Sequence, residues 1–233
     1  MTPMKLSSVS ILIPCYNVGE TVNSVLRDAY ATGKKTTDHL EIIALDDASR
    51  DTTLHQLLSL QKTIPCLHII RHVTNQGYGK TIKELYYAAK NDWLFSLPSD
   101  NQFDARELFK LLPLTSRADM ILGQRVLRRD TGRRLVQSKT YNALLNLMFG
   151  LPIHDVNTIR LMKRQVIQSV KLVSDSAFVD AELAIRAKRK GFRIVETPVI
   201  HKMRKDGGAT GGNIRKTILP TIYDMFRMMY QPR

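Results

Sequence analysis

The sequence predicts an α/β fold, a mostly parallel sheet flanked by helices, with an amphipathic helical extension at its C-terminal end. Short apolar runs recur through the N-terminal half at Val9–Ile13, Leu40–Leu45, Cys66–Arg71 and Trp93–Leu97. Each is apolar nearly throughout rather than alternating, the pattern of strands covered on both faces. Helical spacing separates one run from the next, which is the alternation of a parallel sheet.

Val9-Ser10-Ile11-Leu12-Ile13-Pro14 is a β-branched run closed by proline. Glu20 to Ala31 reads as a helix, because Val22, Val25, Leu26 and Ala29 share one face. The second run ends on Asp46-Asp47-Ala48-Ser49-Arg50-Asp51, with Asp51 placed to cap a helix reaching Gln61. The third leads into Asn75-Gln76-Gly77-Tyr78-Gly79-Lys80 and a helix to Lys90. The fourth stops at Pro98; beyond it stand Ser99, Asp100, Asn101 and Gln102, and Asp104 is placed to cap a helix over Ala105–Leu112. Further strands are expected over Asp119–Gln124, Val156–Met162 and Phe192–Val195. Further helices are expected around Leu144–Phe149 and over Phe178–Lys190, the latter closed by Gly191. From Ile214 to Tyr230, Ile218, Leu219, Ile222, Met225, Phe226 and Met229 oppose Arg215, Lys216 and Arg227.

Hydrophobic content of 43% and charged content of 24% are ordinary for a globular chain, and 233 residues can bury a sizeable core. The charge balance is not ordinary: 35 Lys plus Arg against 21 Asp plus Glu gives +14. That excess suits an anionic partner, whether phosphate-bearing substrates, a membrane surface or nucleic acid. The basic stretch has little aromatic interleaving, unlike a stacking platform for single strands, so nucleic acid is not expected. Cys15 and Cys66 do not make a disulfide framework, which fits a reducing, cytoplasmic setting. No apolar run approaches the roughly 18 residues of a membrane span, and no signal peptide is evident. A soluble or peripheral chain is the expectation.

Polar residues at the carboxyl ends of parallel strands converge on one crevice, where open α/β sheets bind ligands. Here those ends supply Tyr16, Asn17, Asp46, Asp47, Gly77, Gly79, Lys80, Asp100 and Gln102. Taken singly, the acids could be turn and cap residues. An oxygen-rich cluster at Asp100 and Gln102 also suits a hard divalent cation bridging to phosphate. A basic stretch follows, with Arg125, Arg128, Arg129, Arg133, Arg134 and Lys139. Guanidinium forks bind phosphate oxygens in pairs.

Ile-Leu-Ile-Pro-Cys-Tyr-Asn at 11–17, Leu-Asp-Asp-Ala-Ser-Arg-Asp-Thr-Thr at 45–53, Asn-Gln-Gly-Tyr-Gly at 75–79 and Pro-Ser-Asp-Asn-Gln-Phe-Asp at 98–104 stand in this order. The set resembles family 2 glycosyltransferases of the GT-A fold, over roughly residues 8–205. Gly123-Gln124-Arg125, Arg133-Arg134 with Ser138 and Asn142, Gly150-Leu151-Pro152 with Asp155, and Phe178-Val179-Asp180-Ala181-Glu182-Leu183 narrow the likeness. They resemble the polyprenyl-phosphate glycosyltransferase branch typified by dolichyl-phosphate mannose synthase.

The resemblance implies inverting transfer of a sugar from a nucleoside diphosphate sugar to a dolichyl- or undecaprenyl-type phosphate. Pro14, Tyr16, Asn17 and Glu20 match positions that hold nucleobase and ribose. Asp46 and Asp47 match the family's Asp-Asp-Gly-Ser motif, with Asp47 accepting from the base; Gly77, Gly79 and Lys80 complete the donor side. Asp100 and Gln102 match two members of a metal motif, so that Mg2+ or Mn2+ would neutralise the departing diphosphate. The motif's first acid is Pro98 here, and Ala48 and Leu85 stand where glycines are common. Arg125, Arg133 and Arg134, with Ser138, match positions that grip the lipid phosphate, and Asp155 joins the acceptor side. A phosphate monoester attacks without a dedicated base, so Asp100 and the three arginines would act by positioning and charge stabilisation. Asp180 and Glu182 are left for sugar hydroxyls, for orienting arginines or for capping.

Residues 1–205 are expected to form the catalytic domain, and residues 206–233, by their basic and amphipathic pattern, a tail. The tail is expected to lie on anionic lipid at the cytoplasmic face of a membrane, with packing against the domain as the alternative, and a membrane partner protein is compatible with either. Rival functional readings are a glycosyltransferase with a soluble or glycan acceptor and a non-catalytic nucleotide-sugar or nucleic-acid binding module.

Overall fold

A computed structural model describes residues 5–126, 132–202 and 218–230, with side chains from residue 136 onward in the helix that begins at 132. Its centre is a seven-stranded sheet. The strands are β1 (Val9–Cys15), β2 (Leu40–Asp46), β3 (Leu67–Arg71), β4 (Trp93–Ser96), β5 (Met120–Val126), β6 (Arg160–Lys163) and β7 (Ile194–Ile200), in the order β3-β2-β1-β4-β6-β5-β7. Pairing is parallel except at β6, which runs antiparallel to both β4 and β5. Strand order reverses between β1 and β4, which opens a crevice beyond their carboxyl ends.

Side-chain parity explains how both faces are covered. Ile11 and Ile13 of β1, with Ile42 and Ala44 of β2, point into a core shared with α1 (Val22–Thr36), α2 (Thr53–Gln61) and α4 (Leu108–Leu111). Leu12, Ile43 and Leu45 point the other way, onto α3 (Tyr78–Ala88), α6 (Arg164–Gln168), α7 (Val179–Arg189) and α8 (Leu219–Met229). The helix α5 (Gly132–Phe149) joins that second core through Leu145. The apolar runs of β1 and β4 and the latter part of β2 are thus buried on both faces, whereas β3, at the sheet edge, is only partly covered.

Three expectations are corrected in detail. The helix expected over Ala105–Leu112 is a 3-10 turn, a single α turn and a second 3-10 turn, because Asp104 closes a short i to i+3 bond with Glu107 and Pro113 removes a donor. The strand expected over Val156–Met162 is only Arg160–Lys163, since Asn142 on α5 takes the Val156 N–H that a ladder would need. The last strand begins later and runs through Thr197 and Pro198, which an edge position tolerates. The boundary expected between 205 and 206 falls outside the described residues.

The C-terminal stretch forms α8, which packs back on the domain by one face. Met225 and Met228 are buried and Asp224 accepts from the Ser176 N–H at 3.2 Å, whereas Leu219, Ile222, Tyr223, Phe226 and Met229 are exposed. Among the described residues no helix is long and apolar enough to cross a membrane.

Candidate active site

Two loops at the ends of β1 and β2 are laced together by side chains. The Asn17 N–H donates to Ser49 Oγ at 3.0 Å, and Asn17 Oδ1 accepts from the Arg50 N–H at 2.8 Å. Asp51 accepts from the Gly19 N–H at 2.9 Å and from the Thr53 N–H at 3.0 Å, while Thr53 Oγ1 accepts from the Val18 N–H at 2.8 Å. Asp51, expected to cap α2, stands one residue before its N-cap Thr52; it takes the N–H of Thr53, the first helical residue, and also ties down the preceding loop. Ser99 Oγ donates to the Pro14 carbonyl and Thr21 Oγ1 to the Ser99 carbonyl, both at 2.6 Å, which fixes the end of β4 against β1. Tyr16, Asn17 and Glu20 stand exposed on this rim. Asn17, Ala48 and Asn101 all have positive φ, at 51°, 56° and 58°, so the left-handed non-glycine residues cluster at these three strand ends.

Asp46 and Asp47 divide their duties. Asp46 is 1% exposed; one oxygen accepts from the Ser49 N–H at 3.3 Å, and Oδ2 is buried with no partner among the described residues. Asp47, expected to take a hydrogen bond from the base, instead has its carboxylate occupied by the β3–α3 loop. It accepts from the Gln76 N–H at 2.7 Å and the Gly77 N–H at 2.8 Å, and lies 2.6 Å from His72 Nδ1. That loop turns at Gly77, with φ 83°. Gly79 packs so closely on the backbone of Asp175 and Ser176 that a Cβ would collide with it. Lys80 reaches Gln76 Oε1 at 3.4 Å.

Past β4, Asp100 Oδ1 accepts from the Gln102 N–H at 3.2 Å. The Gln102 carbonyl accepts from the Lys202 N–H at 2.8 Å, anchoring the turn to the segment after β7. Asp100 Oδ2 and Gln102 Oε1 have no partner among the described residues. A carboxylate and an amide oxygen are hard donors suited to Mg2+ or Mn2+, and among the described residues no three His, Cys, Asp or Glu side chains converge to hold a metal. The donor set therefore fits a cation held jointly by protein and a diphosphate, not an all-protein cage.

On the other side of the sheet's centre, Arg125 forms a bidentate pair with Asp155, Nε to Oδ2 and Nη2 to Oδ1, each at 2.6 Å. The Asp155 turn is itself held, since Glu196 accepts from the backbone N–H of both His154 and Asp155 at 3.0 Å. Asp155 thereby orients Arg125, leaving guanidinium N–H groups for an anion. Gln102, Arg125, Ser138 and Asp155 line one cavity of about 570 Å³, together with apolar Val136 and Leu144 of α5 and Ile222 and Met225 of α8. Arg133 and Arg134 fall in the first turn of α5, and their side chains, with all of Arg128 and Arg129, lie outside the described residues.

Asp180 and Glu182 do not face this cavity. Glu182 is fully buried and accepts from the N–H groups of Val173 and Ser174 and from Arg186 Nε, so it fastens a loop to its own helix. Asp180 pairs with Arg160 at 3.0 Å and accepts from Tyr78 Oη at 2.8 Å. Burial pushes the Asp180 carboxyl up against the pull of Arg160 and the tyrosine. Arg160 is 1% exposed, and its Nε and Nη1 have no partner among the described residues, nor does buried Tyr141 Oη. The sequence reading missed Arg160, although an arginine inside Ile159-Arg160-Leu161-Met162 signals a buried, paired charge. It also gave no role to His72 or Glu196, whose partners are too distant in sequence for spacing to reveal.

The family model described as Glycosyl transferase family 2 matches residues 10–171. Curated relatives include the undecaprenyl-phosphate 4-deoxy-4-formamido-L-arabinose transferases of Sodalis glossinidius (strain morsitans), 28% identical over 88% of this chain, and Pseudomonas fluorescens (strain Pf0-1), 26% identical over 98% of it. The chain spans 63% and 67% of the length of these two relatives. Among solved structures, glucosyl-3-phosphoglycerate synthase from Mycobacterium tuberculosis, in complex with Mn2+, uridine diphosphate and glucosyl-3-phosphoglycerate, superimposes with a TM-score of 0.76. It is 15% identical, with 97% of this chain and 81% of that chain covered. A mannosyltransferase from Pyrobaculum calidifontis in complex with GDP-Man and Mn2+ gives a TM-score of 0.70 at 18% identity, covering 97% of this chain and 66% of that chain. The seven-stranded sheet is thus of the GT-A type.

Proposed function

The chain belongs to glycosyl transferase family 2, and from that premise we propose that it transfers a sugar from a nucleoside diphosphate sugar to a polyisoprenyl phosphate with inversion at the anomeric carbon. The observation that carries the acceptor class is the cavity between α5 and α8. It joins an oriented arginine to apolar walls, the composition an amphiphile with a phosphate head and a hydrocarbon tail requires. Its volume of about 570 Å³ is that of a small-molecule site, so it would take the head and the first part of a long chain. The remainder would leave over the exposed Ile222, Tyr223 and Phe226 of α8. The curated relatives bear names that include undecaprenyl phosphate, which supports the same class.

In this reading the laced loops carrying Pro14, Tyr16, Asn17 and Glu20 form the nucleoside side, with Asp46, Gly77, Gly79 and Lys80 beside them. Asp47 shapes that side through its loop. Asp100 and Gln102 would hold Mg2+ or Mn2+, which when bound neutralises charge on the leaving diphosphate. Arg125 holds the acceptor phosphate with its oxygen toward the sugar, joined by Ser138 and by Arg133 and Arg134. The phosphate is already anionic, so orientation and charge compensation supply the catalysis. The net charge of +14 and the exposed apolar side chains of α5 and α8 support peripheral binding to an anionic membrane surface, at the cytoplasmic face and with or without a membrane partner protein. Residues 1–205 would be the catalytic domain, and the tail its membrane contact.

The test is a panel of UDP- and GDP-sugars, with Mn2+ and with or without undecaprenyl phosphate, read as released nucleoside diphosphate. Release that depends on the lipid is expected. Equal release with a short soluble phosphate monoester would move the acceptor to the soluble class, and no release with any acceptor would sink the enzymatic reading.

A further inference from the structure

His72 lies just past β3, and its side chain is 11% exposed. The charged groups facing its ring are Asp47 at the end of β2, 2.6 Å from Nδ1, and Glu84 on α3, 2.9 Å from Nε2. Carboxylates only accept hydrogen bonds, so satisfying both requires hydrogen on both ring nitrogens, and the ring is then an imidazolium. Asp47 passes this constraint on. Its two oxygens hold the N–H groups of Gln76 and Gly77, and its carbonyl accepts from Asn75 Nδ2 at 3.1 Å. With its side chain 4% exposed, the Asp47 carboxylate would be a buried charge with no cation beside it if the ring were removed.

We propose that His72 is a positioning residue of the donor site: an imidazolium clamp on Asp47 that holds the Asn75–Gly79 loop in the shape that receives the nucleoside diphosphate. This rests on reading that loop as part of the donor site. Burial opposes the charge on His72, but the two carboxylates outweigh it and hold the ring above its ordinary 6.5. A folded-state value raised in this way leaves the clamp complete below the ordinary value and releases it as pH rises through the raised one.

Two readouts on the full chain separate the clamp from the donor reading. The first is amide hydrogen exchange at Gln76 and Gly77 in wild type, His72→Ala and His72→Gln. The second is calorimetric binding of UDP and GDP with Mn2+, as a function of pH. In His72→Ala, exchange at these amides should speed by about tenfold or more while β1 and β2 stay protected. Affinity for the preferred diphosphate should fall about tenfold near pH 6.5, the loss expected for a charge-assisted hydrogen bond. Wild type should lose affinity in the same way as pH rises, and Glu84→Gln should bring that loss to lower pH. His72→Gln, which can donate to a carboxylate but carries no charge, should fall between wild type and His72→Ala. Unchanged exchange in His72→Ala would overturn the clamp. Faster exchange with unchanged affinity and no alkaline loss would reduce His72 to a structural residue. If wild type binds neither UDP nor GDP, the donor reading fails and the proposal with it, while the exchange data still report whether the loop is clamped.

Discussion

The donor-side loops and the α5–α8 cavity sit on one sheet and are built by opposite rules. On the donor side, backbone N–H groups are met by side-chain oxygens one after another: Gly19 by Asp51, Arg50 by Asn17, and Gln76 and Gly77 by Asp47. On the acceptor side the cavity walls are largely apolar. A nucleotide is recognised by direction, and direction requires groups that are fixed before it arrives. A long hydrocarbon is recognised by area, which asks for exposed surface and little geometry. The contrast suits the proposed reaction, in which the donor must be discriminated and the acceptor's tail merely accommodated.

The largest expected effect breaks the donor side at Asp100, whose Oδ2 has no partner among the described residues. Asp100→Ala should lower turnover by about a thousandfold, on the order of 4 kcal/mol of transition-state stabilisation, with the fold intact by circular dichroism. Excess chelator should do the same to wild type. Turnover within a few-fold of wild type in either experiment would remove the metal from the reading. Because Asp100 is the one acid in Pro98-Ser99-Asp100-Asn101-Gln102, metal and nucleoside diphosphate should also bind together far better than either alone, which calorimetry can measure.

Next is the joint between the halves. Tyr78, beside the donor loop, reaches Asp180, and Asp180 pairs with Arg160 at the start of β6. Asp180→Ala would leave the Arg160 guanidinium charged and unpaired in the core, so unfolding free energy should drop by about 3–5 kcal/mol. Denaturant titration checks it. A loss under about 1 kcal/mol would mean that water reaches the guanidinium.

How much of this the sequence disclosed follows from the range of each interaction. The parallel half was legible because every element there is local: an apolar run, a polar strand end, a cap. Asp51 announced itself two residues ahead of α2, and Asp100 and Gln102 stood out beyond a proline. The antiparallel β6 was misjudged in extent, since its length is set by partners on β4 and β5 rather than by its own residues. His72, Glu196 and the Arg160–Asp180 pair act through contacts far apart in the chain, and a single sequence carries no trace of which acid meets which base. Arg160 alone left a clue, as a charge in an apolar run.

A smaller effect sharpens the acceptor side. Arg125→Lys keeps a cation beside Asp155 and removes the planar fork, so the acceptor KM should rise about tenfold while UDP or GDP affinity stays within about twofold. Equal losses for both substrates would place Arg125 between the two halves rather than on the acceptor side.

The smallest expected effect concerns backbone strain on the donor side. Asn17, Ala48 and Asn101 all have positive φ, but they do not bear it equally. Asparagine enters the left-handed region with modest strain, whereas a Cβ on alanine there crowds the following carbonyl at a cost of about 1–2 kcal/mol. Glycine at 48 would remove that strain but gain conformational freedom in the unfolded chain, which takes back about 0.4–1 kcal/mol. Ala48→Gly should therefore stabilise the fold by about 0.5–1 kcal/mol, raising the thermal midpoint by about 1–4 °C. Since the backbone already holds the conformation that glycine prefers, donor KM should stay within about twofold. A stabilised variant with weakened donor binding would show that the alanine's strain is part of how this loop is held ready. A destabilised one would mean that the alanine methyl makes packing contacts worth more than the strain it brings.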